Sequence, residues 1–360
     1  MSSRGPLVAV EKPRTEDELA RVLCEAAEVR KVVVPVGGRR ASGMGGLVER
    51  CDVELHTSGL DRVIEHSPAD MVVSVEAGIT LEAVQAELAR SGQFLPIDPF
   101  NSPGHTIGGL LAIGWSGPLR LRFGSARDFL IGIRVALPDG RVASAGGRVV
   151  KNVSGYDLMK LHYGAMGTIG VIVAASFKVF PKPLHDVTVE SRGGWPEVDR
   201  ALDLALPPVA LEMFSDGRVL ARFFGSPDAV KATAAGLGWD EADGSIWDKH
   251  AESAPARWAR IAAPPERLRG ILESLPSKST WWASPGAGIA HWSFENTKDL
   301  VAARSAAEAA GGSLVLLAAP DDVKTQVGAW GTAPETLEVM RRLKDAFDPD
   351  NVLNPGRFLF

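Results

Sequence analysis

Three glycine-rich stretches in the first half of the chain carry residue types that can hold an anion. They are VPVGGRRASGMGG (34–46), SPGHTIGGLLAIGWSGP (102–118) and GAMGTIGVI (164–172). Successive backbone N–H groups in a glycine turn, or at the opening of a helix, make a concave donor surface that suits phosphate. Ser42 and Thr106 add hydroxyls beside two of them. None of the three is a GxGxxG between strand and helix or a loop ending in GK[ST], which disfavours a nicotinamide-type Rossmann domain and a P-loop NTPase. Each loop alone reads more readily as a turn-rich surface loop; three in one domain, in this order, shift the balance towards a nucleotide. In the last of them Gly164, Gly167 and Gly170 stand at every third position. Glycine costs backbone entropy wherever alanine would serve. Either a ligand approaches the main chain here, or the chain turns where a Cβ would clash.

The elements that must position these loops are legible around them. Thr15 and Glu18 form a capping box that starts a helix running to about Ala27. The buried strand KVVVPV leads into the first loop, and MVVSVEAG is a second strand. TLEAVQAELARSG is a helix with Thr80 as N-cap and Gly92 just past its end. Asp139-Gly140 marks a β-hairpin, and GTIGVIVAASFKVFP is a long strand stopped by Pro181. After PKPLHD the pattern becomes short strand–helix–strand units, with a second hairpin at Asp216-Gly217. That order predicts an antiparallel sheet with helices on one face. A last helix, PETLEVMRRLKDAF, leads into the tail DPDNVLNPGRFLF.

The order and wording of VPVGGRRAS, VEAGIT, LPIDPFNSPGHTIGGLLAIGWSG, FGSARDFLIGIRVALPDGRV and KNVSGYDLMKLHYGAMGTIGVI resemble the FAD-binding domain of the p-cresol methylhydroxylase and vanillyl-alcohol oxidase superfamily. LKDAFDPDNVLNPGRF resembles the tail that folds back on this domain. Within the superfamily, GRVVKNVSGYDLMKL and the chain length look most like the FAD-binding E subunit of bacterial glycolate oxidase. The resemblance covers roughly residues 7–180 and 335–360, and the combination of TIGG, KNxxGYDL, GTIGV and LNPG makes it specific.

It implies an α+β fold in three parts. Residues 1–183 form a two-part FAD-binding domain, a small α/β lobe and an antiparallel-sheet lobe. Residues 184–330 form an antiparallel α+β cap, and residues 331–360 a helix and tail returning to the first domain. It further implies FAD contacts from Gly37, Gly38, Arg39, Arg40, Ala41 and Ser42, and from Pro99, His105, Thr106, Gly108 and Gly109. Gly155, Gly167, Thr168, Ile169, Gly170, Ile172 and Asn354 complete that set. Tyr156 is as well a packing residue as a flavin contact, and Arg357 as well a surface ion pair. Relatives that attach FAD covalently use a histidine in the first loop; GGRRAS has none, so noncovalent FAD is expected.

Oxidation of a 2-hydroxy acid by a flavin needs a base near the substrate Cα and a cation for its carboxylate. Stand-alone dehydrogenases of the superfamily carry paired cap histidines. Here the seven histidines are scattered, without HxH or HxxxH, so no metal is expected. Arg260 and His291 are the cap candidates, and Trp258 and Arg260 alternate onto one strand face. Three functions stay open. One is an FAD-binding subunit of a glycolate oxidase-type complex that works with a larger flavin subunit and an iron–sulfur subunit. The others are a stand-alone FAD-dependent 2-hydroxy-acid dehydrogenase and a non-catalytic nucleotide-binding scaffold.

Composition bounds the setting. The net charge of −5 argues against a nucleic-acid partner, whose phosphates need a basic surface. No apolar run approaches the ~20 residues of a membrane span and no signal pattern opens the chain. Two cysteines without CxxC spacing fit a reducing compartment. A cytoplasmic protein is expected, peripheral to the inner membrane at most through a complex.

Overall fold

The computed structural model describes residues 8–100, 103–147, 158–252 and 254–360. Ala9–Glu11, Val53–His56 and Val33–Val36 form a parallel three-stranded sheet in the order first–third–second along the chain. Helix Glu16–Glu28 covers it, starting where the Thr15 hydroxyl accepts from the Glu18 N–H; the Glu18 carboxylate accepts from the Arg14 N–H and not from Thr15, so the expected capping box is half formed. Leu19, Leu23, Val33 and Leu55 are buried beneath that helix. The tail extends this lobe: Val33 N–H donates to the Val352 carbonyl at 2.8 Å, and Asn354 N–H to Val33 at 3.0 Å.

A five-stranded antiparallel sheet carries the second lobe, in the order Val63–Ser67, Val72–Glu76, Val171–Lys178, Leu130–Ala136, Val142–Gly146. Helices Leu81–Ala89 and Ile107–Ile113 pack on it through Val84, Leu88, Ile107 and Leu110 against Val73 and Phe177. Full burial of such a side chain is worth about 1.5–3 kcal/mol. Strand Val171–Lys178 pairs with Val72–Glu76 on one side and Leu130–Ala136 on the other. That central place holds the glycine run preceding it against the parallel lobe.

The cap is an eight-stranded antiparallel sheet built as two βαββαβ halves. One half runs from His185–Ser191 to Asp240–Ala242, the other from Trp258–Ala262 to Ser313–Ala318. They join where Met213 and Phe214 pair with Ala283 and Trp282. Such split β-α-β halves bury one sheet face under their helices. Strand alternation therefore sends Trp292 towards the helices and His291 to the opposite face. That face carries Trp258, Trp282, Val315 and Leu317 against Met44, Phe100, Trp115 and Met166 of the first domain. No helix among the described residues is long and apolar enough to cross a membrane. Cys24 and Cys51 are both free.

Candidate functional site

A long cleft of about 1270 Å³, open solvent at its mouth included, runs between the two lobes of the first domain. Its walls bring together Gly37, Gly38, Arg39, Arg40, Ala41 and Ser42 with His105, Thr106, Gly108 and Gly109. Gly167, Gly170, Ile172 and Asn354 meet them in the same cleft. The first two loops interlock: a Cβ on Gly38 would lie 1.8 Å from the Gly104 carbonyl oxygen, and one on Gly37 2.3 Å from Thr106 Oγ1. Arg39 is left-handed at φ +57°, a turn that aims successive N–H groups one way. Among the described residues, the N–H groups of Gly38, Arg39 and Ser42 donate to no protein acceptor. Asn354 is likewise half satisfied. Its Nδ2 donates to the Met166 carbonyl at 2.7 Å, while its buried Oδ1 has no partner among the described residues. Unpaired donors, an unpaired amide oxygen and an elongated cleft fit a dinucleotide such as FAD.

Other expected contacts stand elsewhere. Pro99 lines a different cleft, beside Asp98 and Phe100. Thr168 and Ile169 are buried behind the wall: the Thr168 hydroxyl donates to Ala165 at 2.6 Å, and Ile169 is core. Gly155 and Tyr156 lie outside the described residues. Gly108 is on the wall, but its N–H is committed to the Ala77 carbonyl at 2.7 Å and a Cβ there would meet Ala77 Cβ at 2.8 Å. Its lack of a side chain serves helix–strand packing. Residues 37–46 are tied down from the tail, where the Arg357 guanidinium donates to the Ser42 and Met44 carbonyls, both at 2.9 Å. Arg357 is thus neither a surface ion pair nor idle. Cys51, Thr57, Met166 and His162 also line the cleft and carried no sequence signal beyond proximity to the glycines.

Gly167 separates ligand from fold. Its φ is +69° and a Cβ would make only ordinary contacts, with Pro35 Cγ at 3.5 Å and Asn354 Nδ2 at 3.9 Å, on the cleft wall. Gly164 has φ +78° and nothing within 4 Å of its Cβ position. Each non-glycine residue there costs roughly 1–2 kcal/mol of backbone strain. Gly167→Val should therefore lower the flavin-to-protein ratio sharply at nearly the melting temperature of Gly164→Ala, which keeps its flavin. Equal flavin content in the two variants rejects the placement.

At its inner end the cleft meets an aromatic layer through Ile113, Met166 and His105. The His105 Nε2–H donates to the Phe100 carbonyl at 2.9 Å, and burial holds its pKa below the usual imidazole value. Trp115 and Trp258 stand next, with centroids 5.2 Å apart. Arg260 and His291 lie behind them, facing each other across paired strands. Neither lines the cleft itself. Arg260 is a half-buried cation whose Nε is buried: among the described residues no carboxylate pairs with it and that Nε has no hydrogen bond. Burial, then the nearby Arg120, lower its pKa, yet a guanidinium stays charged in proteins. Trp115 Nε1, Trp282 Nε1 and Tyr163 OH are also buried without partners among the described residues. Each of these three groups can donate a hydrogen bond.

Residues 7–146 match a family model described as FAD binding domain, and residues 324–358 one described as FAD linked oxidases, C-terminal domain. The glycolate oxidase subunit GlcE of Escherichia coli (strain K12) is 30% identical over 85% of this chain and 86% of its own length. The chain belongs to the GlcE family of glycolate oxidase subunits. It is an FAD-dependent oxidoreductase with FAD as its cofactor. The glycolate oxidase subunit GlcD of Bacillus subtilis (strain 168) is 35% identical over 49% of this chain and 37% of its own. The mitochondrial D-lactate dehydrogenase [cytochrome] of Arabidopsis thaliana is 35% identical over 54% and 34%. The chain thus spans about a third of the length of these two longer relatives. A solved alkyldihydroxyacetonephosphate synthase superposes with a TM-score of 0.71 over 96% of this chain and 76% of its own, at 15% identity. That likeness concerns the fold alone, the two-lobed α+β domain with its antiparallel cap.

Proposed function

We propose that this chain is the FAD-binding subunit of a complex that oxidises a small 2-hydroxy acid such as glycolate. The cleft holds FAD noncovalently, and Arg260 on the cap receives the substrate carboxylate. A larger flavin subunit and an iron–sulfur subunit take the electrons onward, in the cytoplasm or at the inner face of the membrane. The observation that carries this reading is Arg260, a half-buried cation with a buried, unpartnered Nε and no counter-charge among the described residues, one aromatic layer from the cleft. A lone buried charge is costly until an anion joins it. FAD, when bound, supplies the acceptor for the hydride. The chain's own groups bind and orient: Arg260 fixes the carboxylate, and the tryptophans exclude water, which strengthens that charge pair. Among the described residues no carboxylate pairs with Arg260, and the Nδ1 of His291 opposite it is occupied by the Trp258 N–H, which favours the subunit over a stand-alone dehydrogenase.

Anaerobic mixing of the FAD-loaded chain with glycolate or D-lactate tests this. Expected is a small shift of the flavin absorbance on binding, without rapid bleaching, and a loss of glycolate affinity of roughly 30–100-fold in Arg260→Ala. Rapid bleaching without a partner overturns the subunit reading. Attachment is checked separately by acid precipitation. All flavin should enter the supernatant, because the first loop lacks histidine and the Nε2 of His105 is engaged on Phe100. A yellow pellet reverses that expectation.

A further inference from the structure

His291 is a cap candidate beside Arg260, and its surroundings define what it can do there. The indole Nε1–H of Trp258 donates to His291 Nδ1 at 3.1 Å. An indole nitrogen only donates, so Nδ1 must present its lone pair and the ring's proton sits on Nε2. The ring is 3% exposed, stacked on Trp282 at 5.2 Å and 15°, and met edge-on by Phe100 at 4.8 Å. It therefore cannot turn over without displacing three aromatic side chains. Burial, then Arg260 and His250, hold its pKa well below the usual imidazole value. An imidazolium would also set a second N–H against the indole N–H.

We propose that Trp258 is a positioning residue that locks His291 as the Nε2-protonated tautomer, so that His291 donates a hydrogen bond to the bound carboxylate and does not act as a base. This rests on the reading of Arg260 as the carboxylate site. The register supports it, since Arg260 and His291 are directly opposed on neighbouring strands and share the face turned to the first domain. A guanidinium and a neutral imidazole N–H side by side make a donor pair for one carboxylate. The hydroxyl proton of a 2-hydroxy acid then finds no basic group on either residue, and its acceptor comes from outside this pair.

The test uses full-length, FAD-loaded protein with ¹⁵N-labelled histidine. The nitrogen shifts of His291, assigned by their loss in His291→Asn, should be those of the Nε2–H tautomer and should not titrate between pH 6 and 8. Trp258→Phe keeps the ring packing and removes only the donor. It should convert His291 to a mixture of tautomers and weaken glycolate binding, read by flavin absorbance, about tenfold. An Nδ1–H tautomer in the parent protein, or an unchanged tautomer in Trp258→Phe, overturns the inference while leaving the Arg260 reading intact. No saturable binding of glycolate or acetate to the parent protein overturns both. If Trp258→Phe fails to hold flavin, the tautomer and titration of the parent protein decide.

Discussion

Replacing Asp348 by alanine should destabilise the protein by about 3–5 kcal/mol and release its flavin, because it strips the partner from a buried ammonium. Lys344, on helix Leu337–Phe347, is 5% exposed and Asp348 1%. The Lys344 Nζ donates to Asp348 at 2.5 Å, to the Thr168 carbonyl at 2.9 Å and to the Leu353 carbonyl at 3.0 Å. The Asp348 carboxylate accepts in turn from the Val352 and Leu353 N–H groups. One ion pair thus joins the last helix, the tail and the third glycine loop. Without the carboxylate, two tail N–H groups and one ammonium are left buried and short of acceptors. Asn354, one residue beyond Leu353, then loses its place on the cleft wall. Denaturant unfolding should show the lowered midpoint, and the flavin ratio should fall with it. A shift below about 1 kcal/mol, the scale of an exposed pair, would show that the pair is solvated in solution.

In the sequence this pair is an ordinary i,i+4 lysine–aspartate spacing of the kind found on exposed helix faces. Its burial depends on the tail turning back, a contact the local pattern does not encode. What local pattern does encode was legible: the N-caps Thr15 and Thr80, the hairpins at Asp-Gly, and the order of the glycine loops, because each is set by a backbone geometry that few residue types adopt. The three glycines of GAMGTIGVI show where that legibility stops. Gly164 meets a left-handed turn in open space, and Gly167 the same turn on the cleft wall. Gly170 has a Cβ position 2.5 Å from Val135 Cγ1 on the neighbouring strand. One spacing thus serves three causes, and only the partners tell them apart. Strand alternation likewise placed Trp258 and Arg260 on one face, whereas the role of His291 followed from a register across two strands.

The largest pH effect should come from Asp98, to which the sequence alone assigns no role. Oδ2 of Asp98 accepts from the Leu119 N–H at 2.9 Å, while Oδ1 is buried without a partner among the described residues. Burial is the main cause that pushes its pKa from 3.8 to about 8; Arg222 and the Leu119 bond oppose it, and Glu212 adds to it. The native protein therefore holds a proton that the unfolded chain gives up near pH 4. Stability owed to this group is complete below the unfolded pKa and is lost as pH rises through the window from about 4 to about 8. Each unit of displacement is worth about 1.36 kcal/mol, so the loss across the window is on the order of 5 kcal/mol. Asparagine keeps the shape and the acceptor for Leu119 without the proton. Asp98→Asn should accordingly be more stable than the parent at pH 8, by on the order of 3–5 kcal/mol, and little different at pH 4. Urea midpoints at the two pH values measure this. The reverse order, or equal gains at both, would mean that Asp98 is ionised in the native protein and that the cation of Arg222 outweighs its burial.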